Sequence, residues 1–460
     1  MSRAGFTPVR CRAGSINVAA SVPRARTNGT LLCGVGVRGP VKVHVEAYGC
    51  TQNQGEARLM QALLLRDGHD VLAGESDADA HLLVTCTVVE RTERDMVARM
   101  RALAATGKPL VVAGCMAAAQ RTLVSSIVPG ARVVPPRRWR EVATLFESDT
   151  ACSERAQEIE TARLGYHDAI VPIAQGCVGR CTYCITRVAR GRVSSRPLEE
   201  LVGEVQAHVD RGIREIKLTG QDTAAWGVDR GANLAGLLTE ITAIPGEFRV
   251  RVGMADPLAV FPIVGDLVAA FDSEKVFKFL HLPVQSGDDG ILAAMQRDHS
   301  VADFEDIVRR FRASFPDLTL STDVIVGFAG ETDGTVAKTL GLLERVRPDT
   351  VNVTRFSPRP GTAAAAWPAP VGWRVKEWSR RIVAAKTQIA REVHDAYVGR
   401  TVRVLTTETG KPGTTIARTD TYKQVVLPGE LALGEFQNAT IVGATDFDLA
   451  GTLSDAHDAA

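Results

Sequence analysis

The sequence has no long apolar run and very little net charge. No stretch approaches 18 uninterrupted apolar residues, so no membrane span is predicted. The formal net charge is only +1, which excludes a uniformly basic nucleic-acid-binding protein but leaves room for local basic patches. With 45% apolar and 23% charged residues among 460, the composition is that of a globular protein of two to four domains, not of a disordered, collagen-like or coiled-coil chain.

The number of cysteines is unusual. Nine is an odd count, and the chain is too long for a small disulfide scaffold. Taken singly, each cysteine is about as consistent with a reduced, buried core thiol as with a functional group. The nine are Cys11, Cys33, Cys50, Cys86, Cys115, Cys152, Cys177, Cys181 and Cys184.

Charge is unevenly distributed along the chain. Residues 1–45 hold six arginines and Lys42 but no acid, a charge of +7 that leaves −6 for the remainder. We interpret residues 1–40 as a disordered leader outside the fold, either an Arg-rich transit peptide or an upstream extension from a wrongly assigned start codon. The second interpretation is favoured because no helical apolar face is evident.

Two later stretches are also basic. Residues 169–198 contain five arginines and no acid, and residues 355–391 contain eight Lys or Arg against Glu377 alone. A charge run is usually a solvated face, but two such runs on an otherwise acidic chain predict an anionic partner.

Residues 41–150 alternate between strand and helix patterns. This alternation predicts a Rossmann-like α/β domain with a parallel, doubly wound sheet. The expected strands are 41–47, 80–85 and 109–113, and the expected helices are 56–65, 90–103 and 116–124.

One cysteine lies just past each of these three strands. Parallel strands end at one edge of the sheet, where ligands bind, so Cys50, Cys86 and Cys115 can converge there. Gly49 and Gly114 precede two of them and would let the backbone approach a bound group closely. The alternative is three unrelated buried thiols. Three thiolates suit an iron–sulfur cluster or zinc with a fourth position open.

A second constellation of cysteines begins a domain at 163–385. An apolar strand at 170–175 runs into Cys177, Cys181 and Cys184, which have CxxxCxxC spacing. An iron–sulfur cube normally takes four thiolates, so a three-cysteine loop leaves one iron free for an exchangeable ligand. A zinc site would need a fourth cysteine or histidine nearby, and none follows.

This spacing resembles the signature of the radical S-adenosylmethionine (SAM) superfamily. The resemblance implies that the free iron chelates the amino and carboxylate groups of SAM, and that reductive cleavage yields a 5′-deoxyadenosyl radical. Cys177, Cys181 and Cys184 would thus be catalytic. Tyr183 occupies the aromatic position that contacts the adenine of SAM, although core packing is the alternative.

The rest of this domain fits a partial (β/α)6 barrel similar to a TIM barrel. Catalytic groups in such barrels lie at the carboxyl ends of the strands. Turns there make Gly220, Gln221, Gln285, Ser286 and Gly327 candidate SAM contacts, although a glycine after a strand is usually just a turn. The six expected strands are 170–175, 215–218, 248–252, 279–282, 318–326 and 350–353.

The carboxyl-terminal region changes to a period of two after a basic helix expected at 371–395. Five short strands within 395–452 predict a small antiparallel β-barrel, at 401–406, 414–418, 424–427, 436–442 and 447–450. The region resembles the TRAM domain, an RNA-binding module. Its five basic and seven acidic residues mean that RNA contact would depend on a local face.

The three parts in this order resemble the methylthiotransferases over residues 41–451. The segments 48–53, 281–287 and 357–362 agree with that family. Of its branches, the chain looks like the archaeal and eukaryotic threonylcarbamoyladenosine branch, on the segments 218–227, 251–254, 417–420 and 441–445. Three residues depart from the branch pattern: Ala255 and Asp256 stand where the branch usually has Met and Asn, and Ala329 stands where it usually has Pro.

The resemblance implies an enzyme that converts N6-threonylcarbamoyladenosine at tRNA position 37 to its 2-methylthio derivative. The cofactors would be two [4Fe-4S] clusters and SAM, with one SAM methylating sulfur carried by the first-domain cluster and a second supplying the radical. Expected partners are the tRNA anticodon stem-loop, held by the basic stretches, and a flavodoxin- or ferredoxin-like electron donor. We expect a cytoplasmic protein without membrane attachment, and ordinary thiols at Cys11, Cys33 and Cys152.

Other functions stay open at the level of sequence. Within the family, the substrate could be isopentenyladenosine-37 in tRNA or an aspartate of a ribosomal protein. A different class is a zinc-stabilised RNA-binding protein without catalysis.

Overall fold

The computed structural model of the chain describes residues 40–146 and 165–454. Predictions for the leader up to residue 39 and for Cys11, Cys33 and Cys152 lie outside these ranges.

The first domain is a five-stranded, fully parallel sheet with helices on its faces. The strand order is β2-β1-β3-β4-β5. The central strand β3 is buried at every position, as expected where helices cover both faces. The predicted doubly wound sheet is confirmed. The elements are β1 (Lys42–Ala47), α1 (Thr51–Arg66), β2 (Asp70–Leu72), β3 (Ala80–Thr85), α2 (Glu90–Ala104), β4 (Leu110–Gly114), α3 (Cys115–Ala119), α4 (Arg121–Ile127), β5 (Arg132–Val134) and α5 (Val142–Leu145).

The second domain is an open arc of six parallel strands. Two three-stranded sheets, β6-β9-β10 and β11-β12-β13, meet where Phe277 donates its N–H to the Val250 carbonyl at 3.0 Å. The elements are β6 (Asp168–Pro172), β7 (Ala174–Gln175), α6 (Ile185–Arg190), β8 (Ser194–Ser195), α7 (Leu198–Asp210), β9 (Glu215–Thr219), α8 (Leu234–Ala243), β10 (Arg249–Val252), α9 (Pro257–Val260), α10 (Val264–Phe271), β11 (Phe279–His281), α11 (Asp289–Ala294), α12 (Val301–Ser314), β12 (Thr319–Val326), α13 (Asp333–Val346), β13 (Thr350–Arg355) and α14 (Gly372–Asp395).

Local sequence explains how helix α12 begins, whereas one predicted strand of this domain is interrupted in the structure. Helix α12 begins with a capping box between Ser300 and Asp303, and its apolar residues at helical spacing are buried. The strand expected at 170–175 is instead broken at Ile173, whose N–H pairs with β9, while β7 pairs antiparallel with β8. This short ribbon forms the base of the CxxxCxxC loop.

The third domain is a closed five-stranded barrel in the order β14-β15-β16-β18-β17. Its neighbouring strands are antiparallel except β16 and β18, which are parallel. The last strand starts two residues later than predicted because Thr445 and Asp448 form a hydrogen-bonded turn. The strands are β14 (Thr401–Thr409), β15 (Thr414–Thr419), β16 (Gln424–Pro428), β17 (Phe436–Ala444) and β18 (Leu449–Leu453).

The third domain packs against the amino ends of the second domain's strands. Tyr422 donates its hydroxyl to Glu215 at the start of β9 (3.0 Å), and the Arg249 Nε at the start of β10 lies 2.9 Å from Asp420. The second set of cysteines lies at the carboxyl ends of these strands, and therefore on the side of the second domain that faces away from the third domain.

Candidate functional site

The structure brings Cys50, Cys86 and Cys115 to one edge of the first domain's sheet. Cys50 directly precedes α1, Cys86 follows β3, and Cys115 begins α3. A Cβ on Gly49 would lie 2.6 Å from the Cys86 Cβ, and one on Gly114 would lie 2.5 Å from the Thr85 carbonyl oxygen. The two glycines thus let their turns pack directly against Cys86 and the Thr85 backbone, whereas their close approach to a bound group stays a prediction.

Burial controls the chemistry of these thiols. It raises the pKa of Cys86 to about 12, with Cys50 and Cys115 close enough to add to the effect. Burial also raises the pKa of Cys115, against the opposing influence of the adjacent Arg190 guanidinium. Without a metal the two buried thiols are therefore protonated, and they would lose protons on binding one.

The second triad lies on the loop between β7 and α6. A Cβ on Gly176, which has φ +77°, would collide with the Arg192 carbonyl, so this glycine closes the base of the loop. The Gly179 N–H donates to the Cys177 sulfur at 3.2 Å, and Cys184 immediately precedes α6. Burial raises the pKa of Cys184 to about 11, and the neighbouring Cys181 adds to this effect.

Apart from Tyr183, which lies on the CxxxCxxC loop, the predicted SAM contacts follow strands β9, β11 or β12 at their carboxyl ends. Three of them shape the protein itself. The Gln221 side-chain oxygen accepts the Gly176 N–H at 2.6 Å, Ser286 is fully buried, and Gly327 lies against Val375 of α14.

The remaining predicted SAM contacts are Gly220, Gln285 and Tyr183. Gly220 is partly exposed, and Gln285 has a left-handed backbone with φ +73°. Tyr183 is half-buried and packs edge-on against Phe328 after β12, with ring centroids 6.1 Å apart. Tyr183 therefore packs against a neighbouring ring while keeping part of its surface accessible.

Sequence reasoning missed a buried charge network beneath the second triad. Arg297 lies 2.5 Å from the Asp256 carboxylate and 3.7 Å from the Cys181 sulfur, while its Nε is buried without a partner among the described residues. Burial, assisted by Asp256, raises the pKa of Asp222 to about 7, and an oxygen of Asp222 lies 3.9 Å from the Cys177 sulfur. Arg297 belongs to none of the motifs recognised in the sequence, so no local signal pointed to it.

The donor set of each triad fits an iron–sulfur cluster. Three cysteine sulfurs are the ligands that such clusters prefer, and each set has a buried guanidinium within reach of one sulfur. The unpartnered Nε of Arg297 is a donor suited to an anionic ligand beside that loop. Within residues 40–146 and 165–454, no three His, Cys, Asp or Glu side chains are grouped closely enough to hold a single metal ion.

Comparison with known proteins assigns the chain to a family. The uncharacterized protein family UPF0004 matches residues 42–134, the radical SAM superfamily matches 171–343, and the TRAM domain matches 395–454. A Pyrococcus abyssi protein named probable threonylcarbamoyladenosine tRNA methylthiotransferase is 42% identical over 414 residues, covering 87% of this chain and 97% of that protein. The chain belongs to the radical SAM tRNA methylthiotransferases.

This methylthiotransferase is also similar to two more distant proteins, one by sequence and one by fold. A tRNA-2-methylthio-N(6)-dimethylallyladenosine synthase from Erythrobacter litoralis is 32% identical, covering 90% of this chain and 97% of its own. A radical S-adenosylmethionine methyltransferase from Kitasatospora setae shares the fold, with a TM-score of 0.52 and 12% identity over 71% of this chain and 74% of that chain. The predicted fold, enzyme class and cofactors are confirmed.

The basic helix α14 of this methylthiotransferase runs from the carboxyl ends of the second domain's strands to the third domain, which packs against their amino ends. Its first turn packs at the carboxyl end of β12 through Val375, and near its last turn His394 contacts the Thr445 carbonyl of the third domain at 2.8 Å. At 24 residues it spans about 36 Å. Its exposed residues include Trp373, Arg374, Lys376, Arg380 and Arg391. Among the helices of the described ranges, none has the length and apolar character needed to cross a membrane.

Proposed function

We propose that this enzyme replaces the adenine C2 hydrogen of N6-threonylcarbamoyladenosine at tRNA position 37 with a methylthio group. The observation that carries the proposal is the placement of two cysteine triads on loops that meet across the first two domains. The proposed substrate follows the name of the 42%-identical relative, whereas the relative named for dimethylallyladenosine is 32% identical. Dimethylallyladenosine-37, which is the isopentenyladenosine-37 named above, is therefore the second candidate substrate.

Each triad would hold one [4Fe-4S] cluster and leave one iron without a protein ligand. Cys177, Cys181 and Cys184 would hold the cluster that binds SAM. The triad at the sheet edge would hold the cluster that carries sulfur. When bound, the clusters supply one-electron reduction of SAM and the inserted sulfur, chemistry that an inert aromatic C–H bond requires.

The residues around the second triad would position SAM. The unpartnered Nε of Arg297 is placed to bind a carboxylate, and the Asp256 contact fixes the guanidinium beside Cys181. Tyr183, Gly220 and Gln285 remain candidate SAM contacts on their positions at this end of the arc. Gln221, Ser286 and Gly327 would act by holding the turns in place.

The tRNA would lie along α14, from the carboxyl end of the arc toward the third domain. Trp373 is 61% exposed at the start of this helix and offers a ring for base stacking. Arg374, Lys376 and Arg380 have no ion-pair partner in the described parts of the chain and could contact phosphates of the anticodon stem-loop. The reaction also needs an electron donor, which we propose to be flavodoxin- or ferredoxin-like, and we propose a cytoplasmic site of action.

Variants of the cysteines test this proposal. Anaerobically reconstituted protein should bind about eight irons. Cys181→Ala should lose SAM cleavage, whereas Cys86→Ala should keep SAM cleavage and form no methylthio product. Cys152→Ala, at a cysteine outside both triads, is the control and should retain both activities.

Three outcomes would contradict the proposal. Full methylthio formation by Cys86→Ala would refute the sulfur-carrying role of the first triad. Colourless protein that binds zinc would favour an RNA-binding protein without catalysis. Modification of an anticodon stem-loop carrying isopentenyladenosine, with no reaction on threonylcarbamoyladenosine, would favour the second substrate.

A further inference from the structure

Arg190 joins the loops of the two cysteine triads. It ends α6, six residues after Cys184, yet its fully buried side chain reaches into the first domain. There its Nε donates to the Cys115 sulfur at 3.2 Å, and one terminal nitrogen donates to the Asn53 side-chain oxygen at 2.7 Å. A residue of helix α6 in the second domain thus touches a proposed ligand of the first-domain cluster.

The orientation of this guanidinium is fixed by a second buried charge. Both terminal nitrogens contact the carboxylate of Glu56, which is fully buried on α1, with one contact at 2.9 Å. Glu56 also accepts from the Gln52 and Gln175 amides, at 2.9 and 2.7 Å. Because Arg presents its donors in a rigid planar fork, these contacts leave the Nε–H aimed at the sulfur.

We propose that Arg190 is a positioning residue that raises the reduction potential of the cluster held by Cys50, Cys86 and Cys115. A hydrogen bond to a ligand sulfur stabilises the additional negative charge of a reduced cluster, and such bonds are among the factors that set cluster potentials. The inference rests on the proposed function, since it requires a cluster at the first triad. A merely structural ion pair between the domains would stabilise the fold without changing that potential.

The test measures the potential of one cluster alone. A parent protein with Cys177, Cys181 and Cys184 changed to alanine keeps only the first triad. In this background, Arg190→Met combined with Glu56→Gln removes the donor without leaving an unpaired buried charge. We expect its midpoint potential, followed by electron paramagnetic resonance during a redox titration, to shift to a lower value.

Two further variants complete the design. Arg190→Lys keeps the positive charge but cannot reproduce the fork, so it should shift the potential downward by less than the double variant does. Arg192→Met, two residues away on the surface, should leave the potential unchanged.

The outcomes separate this inference from the proposed function. A parent that fails to take up about four irons would contradict the proposed function, and the inference with it. A parent with a normal cluster, and a double variant with the same potential as that parent, would overturn the inference alone. If the double variant does not fold, an unchanged potential in Arg190→Lys has the same consequence.

Discussion

Replacing Gly114 by alanine should prevent Cys50, Cys86 and Cys115 from holding an iron–sulfur cluster. Gly114 has φ +89° and ψ −161°, and residues other than glycine occupy this region at a cost of about 1–3 kcal/mol. The new Cβ would also lie 2.5 Å from the carbonyl oxygen and 2.8 Å from the nitrogen of Thr85. These are backbone atoms of the paired strand β3, so relieving the overlap should cost roughly another 1–3 kcal/mol. We therefore expect a loss of about 4 kcal/mol.

Gly107→Ala is the matched control in the same domain. Gly107 also has a positive φ, +73°, but a Cβ there would meet no atom within 4 Å, so its cost should be about 1–2 kcal/mol. Thermal unfolding of the metal-free proteins and iron content after reconstitution are the measurements. Gly114→Ala should hold about four irons instead of eight and retain SAM cleavage. Equal stability of the two variants, or full iron content in Gly114→Ala, would refute the reasoning.

Three further predictions concern other parts of the site. Trp373→Ala should raise the tRNA dissociation constant about tenfold through lost base stacking, while the salt dependence of binding stays the same because the ring carries no charge. Arg359→Met should cost about 2 kcal/mol, since it breaks an interdomain ion pair with partly exposed Glu93, and a double-mutant cycle with Glu93→Gln checks this coupling. Burial raises the pKa of Glu331 to about 7 despite the Gly327 N–H it accepts. Wild type should therefore lose stability relative to Glu331→Gln as the pH rises from 4.5 through 7, by roughly 3 kcal/mol at most, and melting temperatures across this range measure the difference.

The features that could be predicted from the sequence have local signals. Strand β3 is rich in apolar residues, and the loop cysteines are marked by their spacing, so both could be read from neighbouring residues. The helix predicted at 56–65 begins five residues earlier in the structure, at Thr51, because its first turns lack such a local signal. Its first turns carry Gln52, Asn53 and Glu56, polar residues that give no amphipathic period but are buried by contacts across the domain boundary.

The features that escaped prediction depend on contacts between distant residues. Arg190 and Glu56 are 134 residues apart, and their pairing leaves no periodic trace in the sequence. The same holds for Arg297 beside Cys181, 116 residues away. Side chains with such partners resemble ordinary surface charges until the fold brings them together.

The most direct test of the central claim is the nucleoside content of tRNA from cells lacking this gene. Mass spectrometry should show loss of the 2-methylthio derivative of N6-threonylcarbamoyladenosine and accumulation of the unmethylthiolated nucleoside. The wild-type gene should restore the derivative, whereas Cys86→Ala should not. Unchanged levels of that derivative, or loss of the isopentenyladenosine counterpart alone, would contradict the account.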